Sequence, residues 1–165
     1  MKELIVRFLH YNVWANARFI TVLRSLSDEQ LDMEMKSSFP TIRATVNHMW
    51  GAEDIWLQRL GQQQKPEWKA NNYKGSISEA SIVWEAASNG LAAFAAALPE
   101  ERLAETIEVI TMKGDRKHDR INDILLHVVN HASYHRGQLV TMLRQAGVAD
   151  IPSTDFFVYT REGGQ

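Results

Sequence analysis

Apolar residues near the N-terminus recur at alternating steps of three and four: Ile5, Phe8, Ala15, Phe19, Val22 and Leu26, with Asn12 the one polar member of the series. That spacing predicts an amphipathic helix with one stripe turned inward. Ser27 opens the sequence SDEQ, a capping-box pattern with Gln30, so a short helical turn through Leu31 to Met33 follows. MKSSFP, ending at Pro40, is a break. Thr41 can cap a second helix to Leu60, with Ile42, Thr45, Met49, Ala52, Trp56 and Leu60 on its stripe and His48 beside Thr45 and Ala52. Gly61 stops it, and the polar run from Gln62 to Ser76 connects onward, carrying Trp68 and Tyr73 down onto the helices.

A third helix is expected from Ser78 to Leu98, where Val83, Ala87, Gly90, Phe94 and Ala97 form a narrow stripe that lets a neighbour approach closely. Pro99 ends it. Thr106 to Met112 alternates with β-branched residues and runs into Lys113-Gly114-Asp115, which predicts a short hairpin returning through Arg116 to Arg120. Asp119 or Asn122 can cap the last long helix, which runs to about Ala146 before Gly147. The tail VADIPSTDFFVYTREGGQ has no helical period. Four long amphipathic helices with one hairpin before the fourth predict an all-α four-helix bundle.

Composition narrows the class. At 165 residues, the chain 1–165 reads as one domain with room for a real core. With 18 Lys+Arg against 20 Asp+Glu and a net charge of -2, nothing predicts capture of nucleic acid or of an anionic membrane. The absence of cysteine excludes disulfides, thiolate zinc sites and a cysteine nucleophile. No run approaches the roughly 20 apolar residues of a membrane span, and the N-terminus lacks a cleavable leader pattern, so a cytoplasmic protein is expected.

The chemistry concentrates in HVVNHASYHRGQ, His127 to Gln138. His131 and His135 lie four apart in an apolar-periodic run, so both imidazoles leave one helical face on successive turns. At roughly 100° per residue, His135 falls inside the stripe, His131 at its edge and His127 farther out. His127 and His135 lie about 12 Å apart along the axis, too far to grip one ion together, since a zinc-like ion needs nitrogens within about 2.1 Å. Burial therefore selects the pair His131 and His135. His48, on another helix, is the candidate third ligand, because three neutral imidazoles can build a divalent site with an open position. The alternative is that each is a core histidine satisfied by a carbonyl or side chain. His10 and His118 read as ordinary surface or loop residues. The zinc-protease H-E-x-x-H is missing its glutamate, because Ala132 follows His131, and no histidine has a glutamate three positions before it, as a di-iron bundle needs.

YNVWAN at Tyr11 to Asn16, His48 followed by AEDIW at Ala52 to Trp56, NHASYHRGQ at Asn130 to Gln138, and the aspartate-aromatic element Asp155 to Tyr159 run in one order over nearly the whole chain. In these the sequence resembles the DinB/YfiT-like family of metal-dependent bacterial proteins. The resemblance implies an up-down-down-up bundle, usually dimeric, with a zinc- or nickel-like divalent ion held by His48, His131 and His135. It also implies a low-molecular-weight thiol cofactor such as bacillithiol, mycothiol or glutathione, as in relatives that act as S-transferases or thiol-dependent isomerases.

The expected function is a metal-dependent thiol S-transferase in which the ion favours the thiolate and the thiolate attacks a small apolar electrophile. Asn12 and Tyr11 are the candidate catalytic residues, to orient substrate or donate a hydrogen bond. Each has a packing alternative, a buried amide fixing helix register for Asn12 and a packed ring for Tyr11. Arg136 is the candidate for attracting an anionic thiol or for pairing with an acid across a dimer interface, against a default of a solvated face. Asp155 is a candidate partner for a ligand histidine or else a helix-end contact. Trp14, Trp50, Trp56 and Tyr134 are candidates for a pocket, with Trp56 expected in the core. Two other readings stay open: a non-catalytic metal-stabilised bundle in stress or DNA-damage response, and a metal-hydroxide hydrolase.

Overall fold

The computed structural model describes residues 1–71 and 73–164. The elements are α1 (Lys2–Leu23), α2 (Asp28–Asp32), α3 (Ile42–Leu60), α4 (Ile77–Ala97), a 3-10 turn (Glu100–Ala104), β1 (Thr106–Ile110), β2 (Arg116–Arg120), α5 (Ile121–Gln145) and α6 (Phe156–Arg161). Four long helices form the bundle, and β1 and β2 form the antiparallel hairpin expected before the last of them, with Glu108 opposite His118. The turn residue Gly114 sits at φ +86°, a conformation that side chains disfavour.

Contacts between named residues fix the helix directions. On α3 and α5, Thr45 meets Met142 while the later Trp56 meets the earlier His127, so these two run antiparallel. On α1 and α5, Met1 lies by Asn122 and Asn16 by Arg136, so these run parallel. Asn16 meets Ser88 while Arg24 meets the earlier Glu85, which makes α4 antiparallel to α1. The result is up-down-down-up, with α1 and α3 on the diagonal and α4 and α5 each packed against both. A Cβ at Gly90 would come within 2.5 Å of Leu57 Cδ2, so the small-residue stripe of α4 is where α3 approaches closely.

The apolar interior is in two halves. One gathers Leu9, Ala15, Leu91, Leu125 and Val128, the other Phe19, Val46, Trp50, Trp84 and Leu139. Between them every long helix contributes a buried polar side chain: Asn12 and Asn16, Glu53, Ser88, and Arg136. His48, His131 and His135 belong to the same level of the bundle by their positions in α3 and α5.

Three local expectations need correction. Ser76 caps α4 and closes a capping box with Glu79, so the helix starts at Ile77, one residue before the expected Ser78. Neither Asp119 nor Asn122 caps α5: Arg120 holds the cap position without a side-chain bond, and the Ile121 N–H donates to the Glu105 carbonyl at 3.0 Å. With β2 running directly into the helix, the neighbouring backbone does what a cap would do. The tail contains α6, with Asp155 as its cap, and six residues are too few to show a helical period.

Candidate metal centre

Antiparallel packing of α3 on α5 carries His48 to the pair that helical spacing has already stacked on α5. Ring centroids lie 4.9 Å apart for His48 and His131, 4.7 Å for His48 and His135, and 4.5 Å for His131 and His135. One ligand nitrogen from each lies within 4.8 Å of the others, so this group could hold a metal ion. His48 Nε2 and His131 Nε2 are 2.9 Å apart, within hydrogen-bond distance. Tetrahedral ligands at about 2.1 Å from an ion stand roughly 3.4 Å apart, so these two need separate by only a few tenths of an ångström to accept one.

The tautomer of the third imidazole is set from outside. Gln138 Nε2 donates to Ser38 Oγ at 2.7 Å, which leaves its Oε1 to accept from His135 Nδ1–H at 2.8 Å. The Nε2 lone pair of His135 is then free toward the other two rings, the usual arrangement when an outer partner orients a ligating histidine. Phe39 stacks on His48 at 4.3 Å, Trp68 lies 5.6 Å from the same ring, and Tyr134 meets His135 edge-on at 5.0 Å. A cleft of about 230 Å³ opens beside His48 between Phe39, Trp68 and Tyr73.

Burial holds the imidazoles neutral. It lowers His48 to about 4, helped by the neighbouring His135. It lowers His131 to about 3, helped by the charges that His135, His48 and His127 would carry. His135 is also lowered by burial, against the hydrogen bond to Gln138. Neutral imidazole is the form that binds a metal. In the unfolded chain these histidines titrate near 6.5, so between that pH and about 4 the unfolded state binds more protons than the folded one. Stability of the metal-free protein should therefore fall as pH drops from about 6.5 to about 4. Denaturant titrations across that window check it, and His131→Gln should flatten the slope.

Of the other candidates, His127 is exposed, with its ring 5.8 Å from His131, and stands outside the ligand group. His10 and His118 are exposed, as read from the sequence. Asp155 accepts from the Phe157 N–H at 2.7 Å, the helix-end role. Trp50 is buried, Trp56 is half-buried under the Arg59 guanidinium, and Tyr134 is exposed. Trp56 lines a pocket beside His127 and Tyr134 one beside Gln138, whereas the walls of the cleft at His48 are Phe39, Trp68 and Tyr73.

Arg136 is not on a solvated face: it is 2% exposed. Its Nη1 donates to Asn12 Oδ1 at 2.6 Å and Asn16 Oδ1 at 2.8 Å, and its Nη2 donates to Ser133 Oγ at 2.9 Å. The amide nitrogens of Asn12 and Asn16 donate in turn to Glu53 Oε1 at 2.8 and 2.9 Å, and Ser88 Oγ donates to Glu53 Oε2. Tyr11 lies under the guanidinium and donates to the Thr154 carbonyl at 2.7 Å. The structure thus brings Tyr11, Asn12 and Arg136 together, in a buried layer shared with Glu53. Burial pushes the Glu53 carboxyl up, and its hydrogen bonds and the Arg136 charge oppose that. Glu53, Asn16 and Ser88 were missed from the sequence. Glu53 had a signal, since it lies four residues past Met49, on the apolar stripe of α3.

A family model described as the DinB family matches residues 1–162. The protein DinB of Bacillus subtilis (strain 168) is 28% identical over 170 residues, spanning 96% of this chain and 95% of its own. Among solved structures, a DinB-like protein from Bacillus cereus ATCC 10987 aligns with TM-score 0.66 at 20% identity, over 87% of this chain and 90% of that one. A DinB-like protein from Bacillus subtilis aligns with TM-score 0.67 at 12% identity, over 90% of this chain and 97% of that one. The two structures share the fold.

Proposed function

The chain belongs to the DinB family, and on that premise we propose that it is a metal-dependent enzyme of the thiol S-transferase class, using a low-molecular-weight thiol on a small electrophile. The carrying observation is the convergence of three neutral imidazoles beside an aromatic cleft. Zinc or nickel is the ion of this reading, since imidazole nitrogen suits both. A divalent ion held by three neutral donors keeps its full charge and an open position, which favours the thiolate form of a thiol that reaches it.

The chain's own residues do the rest. His48, His131 and His135 supply unprotonated nitrogens at neutral pH, and Gln138 keeps that of His135 aimed inward. Phe39 stacks on the His48 ring and Trp68 lies beside it, giving the ligand group an apolar flank at the cleft. Asn12, Tyr11 and Arg136 act in this reading as positioning residues, tying α1 to α5 behind the histidines. The ligand group has three members among the described residues, whereas structural zinc sites are typically closed by four protein ligands. That supports the catalytic reading over a metal-stabilised scaffold. A cytoplasmic homodimer acting on a small molecule, without nucleic acid or membrane, completes the proposal; no helix among the described residues is long and apolar enough to cross a membrane.

The test is turnover of a chlorobimane probe by metal-loaded, untagged protein with a panel of bacterial thiols. Product should form only when both metal and a thiol are present. Probe hydrolysis without thiol would point to a hydrolase, and inertness with every thiol would remove the transferase reading.

A further inference from the structure

The cleft beside His48 has a composition that defines what it can hold. Its flat walls are the rings of Phe39, Trp68 and Tyr73, and its small residues are Ala44 and Ala70. No described residue lining it carries a formal charge, and its polar groups besides His48 and Tyr73 are the amides of Asn47 and Asn71. Asn47 Oδ1 already accepts from Trp50 Nε1 at 3.1 Å, so what Asn47 has left to offer is its N–H donors. The volume, about 230 Å³, is below the range of roughly 300–1,000 Å³ typical of drug-sized ligands. A cavity of about 150 Å³ holds benzene, so this one holds a single ring with a short substituent.

The cleft is built into the contact between the connecting segment and α3. A Cβ at Gly51 would meet Ala70 Cβ at 2.5 Å and Trp68 Cζ2 at 3.1 Å, so the absent side chain is what lets this segment lie on the helix and bring Trp68 to the His48 ring. His48 belongs both to the cleft and to the metal-ligand group, so a molecule in the cleft abuts the position where that group converges.

We infer that this cleft is a subsite for a small, uncharged, flat ring bearing a hydrogen-bond acceptor, the electrophilic partner of the thiol. Its chemistry rests on the thiol-transfer reading, while its binding does not. In the reaction, the thiolate sulfur bonds to a carbon on the ring or its substituent, and the bond from that carbon to a halide or similar leaving group breaks. The leaving group departs with the electron pair, and the thiol proton goes to solvent. With no ion at the histidines an anionic ring is disfavoured, because a carboxylate would lose its hydration and no described residue lining the cleft carries a positive charge to replace it.

Unreactive probes separate binding from chemistry. The full chain, free of metal, is titrated with 4-nitrobenzyl alcohol and with 4-nitrobenzoate while the Trp68 indole N–H signal is followed by NMR, assigned through Trp68→Phe. The alcohol should shift that signal saturably, and the benzoate should bind at least about tenfold more weakly. Ala44→Leu, which fills the cleft from α3, should weaken the alcohol about tenfold or more with Zn²⁺ uptake unchanged. No saturable shift, equal binding of the anion, or unaltered binding by Ala44→Leu with the variant folded would each overturn the subsite. Ring binding without turnover of any ring electrophile keeps the subsite and removes the thiol reading. Thiol-dependent turnover that the alcohol does not inhibit does the reverse.

Discussion

Replacing His135 with alanine should strip the protein of its divalent ion. His135 is the most deeply buried of the three ligands, at 4% exposure, and its ring sits within 4.7 Å of both others, so two imidazoles alone would be left to hold the ion. Removing Gln138 instead leaves all three nitrogens in place but frees the His135 ring. Losing such an outer partner typically costs 10–100-fold in affinity, so Gln138→Leu should fall in about that range and His135→Ala well beyond it. His127→Ala, which alters an exposed ring outside the ligand group, should leave affinity unchanged. Elemental analysis of untagged protein and competition against a chelator read all three. One tightly held ion per chain in His135→Ala would mean that the ion sits elsewhere.

How far the sequence carried depended on the range of each signal. His131 and His135 were legible because a helix converts four residues of spacing into adjacency on one face. His48 needed two helices to pair so that residues 83 positions apart meet, which periodicity does not contain; the residues made it a candidate third ligand, and the family resemblance matched it to that role. The hairpin was visible in the β-branched alternation before Gly114, and the bundle in its four stripes. A solvated face was the default set against Arg136 as a thiol-binding candidate, because its charge outweighed its register, and its burial overturns that default. Its neighbours in the buried layer come from α1, so no local pattern reveals that Asn12 and Asn16 await it. Phe39 lay in a segment read only as a break, since a cleft wall built from a loop has no period. The α5 cap failed for a similar reason: the carbonyl that accepts from Ile121 belongs to Glu105, 16 positions upstream, a contact the sequence does not show.

The same buried layer carries the largest expected loss of stability. Arg136→Met keeps most of the side-chain volume but removes the guanidinium, so the buried Glu53 carboxyl, already pushed up by desolvation, loses the nearby positive charge and both asparagine oxygens lose their donor. Removing one charge from a buried hydrogen-bonded network costs about as much as breaking a buried pair, typically about 3–5 kcal/mol, and for a chain of this size that is a fall of roughly 6–20 °C in Tm. The double variant Glu53→Leu with Arg136→Met removes both charges and should cost less than the sum of the two singles, because the desolvated partner left behind by each single is gone. Denaturant unfolding of the metal-free proteins measures all three. A loss below about 1 kcal/mol for Arg136→Met would show that the pair contributes as an exposed ion pair does. The asparagines explain why coupling should be strong although no direct ion pair joins Arg136 to Glu53. Each amide accepts from the guanidinium with its oxygen and donates to the Glu53 carboxyl with its nitrogen, so the two groups orient one shared pair of dipoles, and α1, α3, α4 and α5 are held in register at the level of the histidines.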